Sequence, residues 1–219
     1  STEPLLRQRL QPHINSSYSW EKLPFHSEEV AKLRKAAILI PLEIRDNDIY
    51  VWLTLRSDDV SHDKGNVSFP GGMKDEEDED AVATCLREAE EEIGLAPSMV
   101  KIISEHIPMI NSRKIVITPI IGLIRNGFVP IPNREVAKCF SLPLSRFLSS
   151  ERYERTFASF YNVLKVQVNF FMDEIDGESI STWGLTAGVC RQVAVAVLQR
   201  APEFPYDDVT VERPFSRLE

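Results

Sequence analysis

The chain has 219 residues, 43% hydrophobic and 26% charged, the composition of an ordinary globular protein long enough for one sizeable core. A formal net charge of -8 disfavours general affinity for nucleic-acid backbones or anionic membranes, so a polyanionic ligand has to be met by a cation or a local basic patch. Three widely spaced cysteines, Cys85, Cys139 and Cys190, with no CxxC, argue against a disulfide framework or structural zinc and for a reducing compartment.

Residues 1–35 read as an N-terminal arm and a short helix. The stretch 1–27 is polar and lacks a clear period beyond a short arm around Leu5–Leu10, so deletion of the first 25 residues is expected to leave the chemistry intact. From Ser27, "SEEVAKLRK" has an N-cap, early acids and late bases, which suits a helix. "AAILIPLEI" (Ala36–Ile44) and "IYVWLTLRS" (Ile49–Ser57) are β-type runs separated by "RDND", a strand pair joined by a turn. A loop, "SDDVSHDKGNVS", leads to Gly71-Gly72, and a helix follows from about Asp80 to Ile93, ended by Gly94 and Pro97.

Further strands are expected at Val100–Ile110, Lys114–Ile124 and Cys139–Leu144, then a short helix at "PLSRFLSS" and a strand at "NVLKVQVNFF" (Asn162–Phe171). "GLTAGVCRQVAVAVLQR" (Gly184–Arg200) is an apolar helix, and 201–219 form a tail. No apolar run reaches transmembrane length, and "STEPLLRQRLQPH" lacks the apolar core of a signal peptide. Ser216-Arg217-Leu218 is like a peroxisomal address except that Glu219 follows it, so an intracellular site in peroxisome, mitochondrion or cytoplasm stays open. No repeat or low-complexity linker divides 36–200. Strands and helices alternate without a βαβ rhythm, which predicts an α/β domain with a mixed sheet and helices on its faces.

The acidic helix carries the chemistry. At 100° per residue, Ala81, Val82, Cys85, Leu86, Ala89 and Ile93 form one apolar stripe. Glu90 and Glu91 lie away from its centre, whereas Glu88 and Glu92 stack one turn apart at its margin, Glu92 nearest the buried side. Acid runs on helices are commonly solvated faces, but here they occupy the C-terminal half, where the macrodipole disfavours them. Two carboxylates a turn apart repel, and partial burial worsens this unless a cation intervenes. Preceding glycines allow backbone carbonyls to turn inward, and such a donor set selects magnesium or manganese over zinc. An EF-hand is excluded because "DEEDED" lacks the D-x-[DN]-x-[DN]-G spacing, and a P-loop because no GK[ST] follows the glycines.

The run resembles the Nudix box, G-x5-E-x7-R-E-U-x-E-E-x-G-U with U aliphatic. "REAEEEIGL" (Arg87–Leu95) matches its second half; in the first half, five residues lead from Gly72 to Asp78, which stands in place of glutamate, and eight residues rather than seven separate it from Arg87, whereas taking Glu79 instead puts Met73 at the glycine position. Upstream, "LTLRSDDVSHDKGNVSFPGG" resembles the signature of the coenzyme A diphosphatase branch through Leu53, Thr54, Arg56, Ser57, Gly65, Val67, Ser68, Phe69, Pro70, Gly71 and Gly72, with Ser61 where that signature has arginine. "TWGLTA" (Thr182–Ala187) is also similar to that branch.

The resemblance implies a Nudix-like α/β/α sandwich that hydrolyses the diphosphate of coenzyme A or acyl-CoA to 3′,5′-ADP and 4′-phosphopantetheine. It implies Glu88, Glu91, Glu92 and a carbonyl of Gly72 as ligands of Mg2+ or Mn2+, and Glu88 or Glu92 as acceptor of a proton from the attacking water. Arg87 would pair with a helix carboxylate, and Glu135 would supply a later carboxylate. Arg56, Phe69, Gly71 and Lys74 would face substrate, and the 3′-phosphate would need one of Arg56, Lys64, Lys74, Arg113 or Lys114. Another Nudix diphosphate, such as a nucleotide sugar or dinucleotide, and a silent binding module are the competing readings. The expected partner is a small molecule rather than nucleic acid or membrane, and monomer and homodimer both remain open.

Overall fold

The computed structural model describes residues 2–10, 25–59, 62–162, 164–206 and 209–211; Ser61 and the 216–219 tail lie outside them. Two helices come first, α1 (Thr2–Leu10) and α2 (Ser27–Lys32), followed by β1 (Arg34–Arg45) and β2 (Asp48–Arg56). The tight turn between the strands places Asp46 and Asn47 at φ 50° and 64°, the left-handed pair that matches the twist of a hairpin and that Asp and Asn tolerate.

Two short strands, β3 (Val67–Ser68) and β4 (Gly71–Met73), lead into α3 (Ala81–Ile93). After it come β5 (Val100–Glu105), β6 (Met109–Ile110), β7 (Ile115–Ile124) and β8 (Val136–Pro143). Strands β1 and β7 run parallel at the centre; β2 and β4 flank β1 antiparallel, β5 and β6 pair with β7, and β3 and β8 pair with β2. This is a mixed eight-stranded sheet. A second sheet contains β9 (Tyr153–Phe160), β10 (Leu164–Ile175), β11 (Glu178–Trp183) and β12 (Val209–Val211), followed within the chain order by α4 (Gly184–Leu198) between β11 and β12.

Strand alternation distributes the core to both faces of the large sheet. Ala37 and Leu39 of β1, Trp52 of β2 and Ile120 of β7 pack with Cys85, Ala89 and Ile93 of α3. Their neighbours Ile40, Leu42, Val51, Leu53 and Ile121 pack on the opposite face with Leu6, Leu10, Val193 and Ala196 of α1 and α4. The expected layers of helix, mixed sheet and helix are present. Among the described residues no helix is long and apolar enough to cross a membrane.

Several expected boundaries shift. The strand anticipated over Val100–Ile110 splits into β5 and β6, with Pro108 unable to donate to a ladder in the gap. Strand β8 starts at Val136, "PLSRFLSS" makes a 3-10 turn at Leu144–Leu148, and α4 stops at Leu198. Neither β9 nor β11 was expected; β9 is exposed over 154–159 and so carries no burial alternation to read.

Helix α1 is tied into the core. Leu6 and Leu10 are 1% and 4% exposed, Arg7 donates to the carbonyls of Ile102 and Ile103 at 2.7 and 2.8 Å, and Arg9 donates to that of Val197 at 2.7 Å. Removing the first 25 residues therefore takes two buried leucines out of the core, which the sequence reading did not foresee. Leu6→Ala should lower the unfolding free energy by about 2–5 kcal/mol. A denaturation midpoint equal to the parent's would show that this helix docks without packing.

Candidate active site

Helix α3 is positioned at both ends. Asp80 caps its start by accepting the N–H of Ala83 at 2.8 Å. Gly94, at φ 70°, closes its end with a double hydrogen bond: its own N–H reaches the Glu90 carbonyl at 3.0 Å and that of Leu95 reaches Ala89 at 3.2 Å. With Cys85, Ala89 and Ile93 buried against the sheet, the rotation of the helix is fixed and the acids point where the wheel predicts. The Glu91 side chain is 57% exposed, that of Glu88 18% and that of Glu92 6%.

Glu92 lies against the glycine strand. It accepts the Gly71 N–H at 3.0 Å, and the Arg56 guanidinium stands 3.9 Å from its other oxygen. Burial pushes its carboxyl up to about 7, with the negative charges of Glu88 and Glu135 adding to the rise and Gly71 and Arg56 opposing it. Burial also raises Glu88, against the pull of Arg87. Glu88 occupies the space where Gly72 has no side chain: a Cβ there would lie 2.4 Å from its Oε1. Gly71 is constrained differently, at φ 154° and with a would-be Cβ 2.3 Å from the Ala37 carbonyl oxygen.

Arg87 clamps the preceding loop to the helix. Its guanidinium grips Asp78 with two bonds of 3.0 and 2.9 Å and also meets the Met73 carbonyl at 3.1 Å and Glu88 at 3.0 Å. The bonds from Arg87 hold Asp78 well below the usual carboxylate range, and Asp78 in turn raises Arg87. Asp78 is buried and Glu79 exposed, so the irregular first half of the motif still delivers a carboxylate to Arg87.

The loop between β7 and β8 reaches this corner by capping α3. Ile131 and Asn133 donate backbone N–H groups to the carbonyls of Ile93 and Glu92, each at 2.9 Å, and Ser57 donates to the Glu135 carbonyl at 2.8 Å. Glu135 is exposed yet near enough to contribute to the rise of Glu92. The neighbouring Cys139 thiol is pushed up to about 12 by burial and by Glu92, and burial does the same to Cys85; both are neutral packing groups.

A cleft of about 550 Å³ opens on the other side of the glycine strand: Glu88 and Glu92 do not line it, but Gly71 and Gly72, which they abut, do. Arg56, Phe69, Gly71 and Gly72 line its inner end, Phe69 from a core position 3% exposed. Ala36, Ile38, Ile115 and Ile117 line it from β1 and β7, and Trp183 to Thr186 from the start of α4. Lys74 instead donates its ammonium to the Asp78 carbonyl, and among the described lining residues neither it nor Lys64 nor Lys114 appears. Trp183, for which the sequence left core and pocket wall open, lines the cleft, and so does Arg34, which the sequence placed as a helix-end base.

Among the described residues no three acidic, histidine or cysteine side chains converge on one point. What the site offers is two adjacent carboxylates, Glu88 and Glu92, both resisting ionisation because of burial, beside a glycine backbone. A hard divalent ion that keeps several waters needs only one or two carboxylates from protein, so this donor set fits magnesium or manganese and offers nothing to a soft metal.

Residues 32–151 match the family model described as the NUDIX domain. "Nudix hydrolase 15, mitochondrial" of Arabidopsis thaliana is 39% identical over 177 residues, spanning 79% of this chain and 62% of that protein. "Peroxisomal coenzyme A diphosphatase NUDT7" of Mus musculus is 33% identical over 175 residues, spanning 79% of this chain and 74% of that one. A solved MutT/nudix family protein from Enterococcus faecalis shares the fold, with a TM-score of 0.50 at 13% identity over 90% of this chain and 76% of that chain. The chain thus spans less than two thirds of the length of the first of these relatives.

Proposed function

The chain belongs to the Nudix family, and from that premise we propose that it hydrolyses the diphosphate linkage of coenzyme A or an acyl ester of it, releasing 3′,5′-ADP and (acyl-)4′-phosphopantetheine. The observation that carries this reading is the partly buried Glu88 and buried Glu92 set against Gly71-Gly72, glycines that themselves line a cleft large enough for a nucleotide. The upstream residues from Leu53 to Gly72 and the similarity to a coenzyme A diphosphatase favour this substrate over other diphosphates.

Glu88, Glu91, Glu92 and a carbonyl of Gly72 would hold Mg2+ or Mn2+. When bound, such an ion neutralises phosphate oxygens and lowers the pKa of water. The chain itself does the rest. Glu92, with its elevated pKa, takes the proton of the attacking water near neutral pH. Gly71 orients Glu92 through its N–H, and Arg87 orients Glu88. Arg56 meets a phosphate oxygen at the mouth of this corner, with Phe69 behind it excluding water. Glu135 adds negative charge that contributes to the raised pKa of Glu92. The compartments in the relatives' names, mitochondrion and peroxisome, are those we propose for a chain whose three cysteines are all free.

A panel of coenzyme A, short- and long-chain acyl-CoA, ADP-sugars and dinucleoside polyphosphates, run with magnesium, manganese or chelator, tests the reading. Coenzyme A or its esters should show the highest kcat/KM, with products at the masses of 3′,5′-ADP and the phosphopantetheine. Faster turnover of a nucleotide sugar or dinucleotide would move the assignment within the family. Absence of metal-dependent turnover on every diphosphate would point to a silent binding module.

A further inference from the structure

We propose that the outer end of the cleft is a subsite for a second, terminal phosphate, formed by Arg34 and Arg113, with Asp63 as its built-in competitor. The inference rests on the diphosphatase reading and assigns the part of the substrate which that reading leaves without a protein partner.

The cleft is elongated along β1. Ile38 pairs with Gly71 at the acidic end, and Arg34 pairs with Ile115, four residues away along the same strand. At about 3.3 Å per residue the two ends are about 13 Å apart. A diphosphate held at Glu88 and Glu92 therefore brings a ribose, and whatever the ribose carries, toward the reach of an extended arginine at position 34 or 113. Both arginines line the cleft, with Asn111 and Ser112 beside them. Of the five cations that the sequence put forward for such a phosphate, only Arg56 and Arg113 are cleft residues, and Arg56 stands at the opposite end next to Glu92.

Arg113 is held ready from below and restrained from the side. The Asn111 side chain accepts the N–H groups of Arg113 and Ile115, each at 3.0 Å, and the Tyr161 hydroxyl donates to the Asn111 carbonyl at 2.7 Å. These bonds tie down the backbone of the turn, and the Arg113 side chain extends beyond it. Its guanidinium meets Asp63, fifty residues earlier in the chain, across the rim of the cleft. Both side chains are nearly half exposed, and an ion pair in such a position contributes little stability. A phosphate dianion offers Arg113 more charge and a two-pronged acceptor, and so displaces the carboxylate. Arg34 is exposed, and among the described residues it makes no ion pair, so it is available to the same anion. A ligand with a singly charged or neutral group at this place would leave Asp63 on Arg113 and gain nothing. The pair thereby selects for a terminal phosphomonoester.

The test compares coenzyme A with 3′-dephospho-coenzyme A. The parent enzyme should prefer coenzyme A in kcat/KM by tenfold or more, and R113A and R34A should each collapse that ratio toward one, mainly through KM. Asp63→Asn should raise it several-fold by removing the competitor. Equal losses on both substrates, or an unchanged ratio in R113A, would overturn the subsite while leaving the diphosphatase intact. If the parent hydrolyses neither compound, the diphosphatase reading fails, and the subsite is then read by calorimetry. Adenosine 3′,5′-bisphosphate should bind more tightly than 5′-AMP, with R113A erasing the difference. Equal affinities in the parent would end the proposal.

Discussion

Glu92→Gln should reduce turnover by about 10²–10⁴-fold and, in the same protein, raise the stability of the metal-free fold at alkaline pH. The two effects share one cause. Burial lifts the Glu92 carboxyl from its ordinary 4.5 to about 7, so the native state prefers the protonated form. Below pH 4.5 the group is neutral in folded and unfolded chains and costs nothing. As pH rises from 4.5 through 7, the unfolded chain releases its proton first and stability falls. The loss at pH 8 is on the order of 3 kcal/mol. Glutamine keeps an oxygen for the Gly71 N–H but never ionises, so this loss is absent, and with it the base for the attacking water. Melting curves in chelator at pH 5 and pH 8 should therefore diverge between parent and variant far more at the higher pH. A variant that retains activity within tenfold of the parent, or a stability difference that is the same at both values, would remove Glu92 from the role given to it.

The adjacent glycines should separate fold from catalysis. In Gly72→Ala the new methyl group meets only the far end of Glu88, 2.4 Å away, and the backbone there is not left-handed. Glu88 can swing aside, so the protein should fold with a near-parental melting point while activity drops by about 10²-fold as the carboxylate leaves its place. In Gly71→Ala the methyl meets the Ala37 carbonyl oxygen at 2.3 Å and the Ile38 Cα at 2.7 Å, both backbone atoms in the sheet, at a φ of 154° that side chains rarely adopt. That substitution should cost about 2–4 kcal/mol of stability. Thermal melts paired with kcat measurements decide it: the opposite order of effects, with Gly71→Ala stable and Gly72→Ala unfolded, would contradict the packing described at this corner.

The acidic helix was legible because its information is local. A period of 3.6 residues places Glu88 and Glu92 one turn apart, the Cys85–Ala89–Ile93 stripe decides which side is buried, and Asp80 and Gly94 mark the ends within reach of their own neighbours. The hairpin of β1 and β2 was legible for the same reason, since its turn is two residues long. Even the irregular half of the motif resolves locally, because Asp78 is nine residues from the arginine that holds it.

Other parts depend on which strand lies beside which. Arg34 is a helix-end base in sequence and a cleft residue in the fold, and only the parallel register of β1 against β7 makes it so. The Asp63–Arg113 contact joins segments fifty residues apart, and the β7–β8 loop brings Glu135 to Glu92 by hydrogen-bonding to the end of α3. The amino-acid sequence by itself determined the helix with its carboxylates, the glycines that admit them and the strand pair beneath. The tertiary structure alone decided where the cleft runs and which cations border it, because strand register and loop docking are settled by long-range packing that no short-range period encodes.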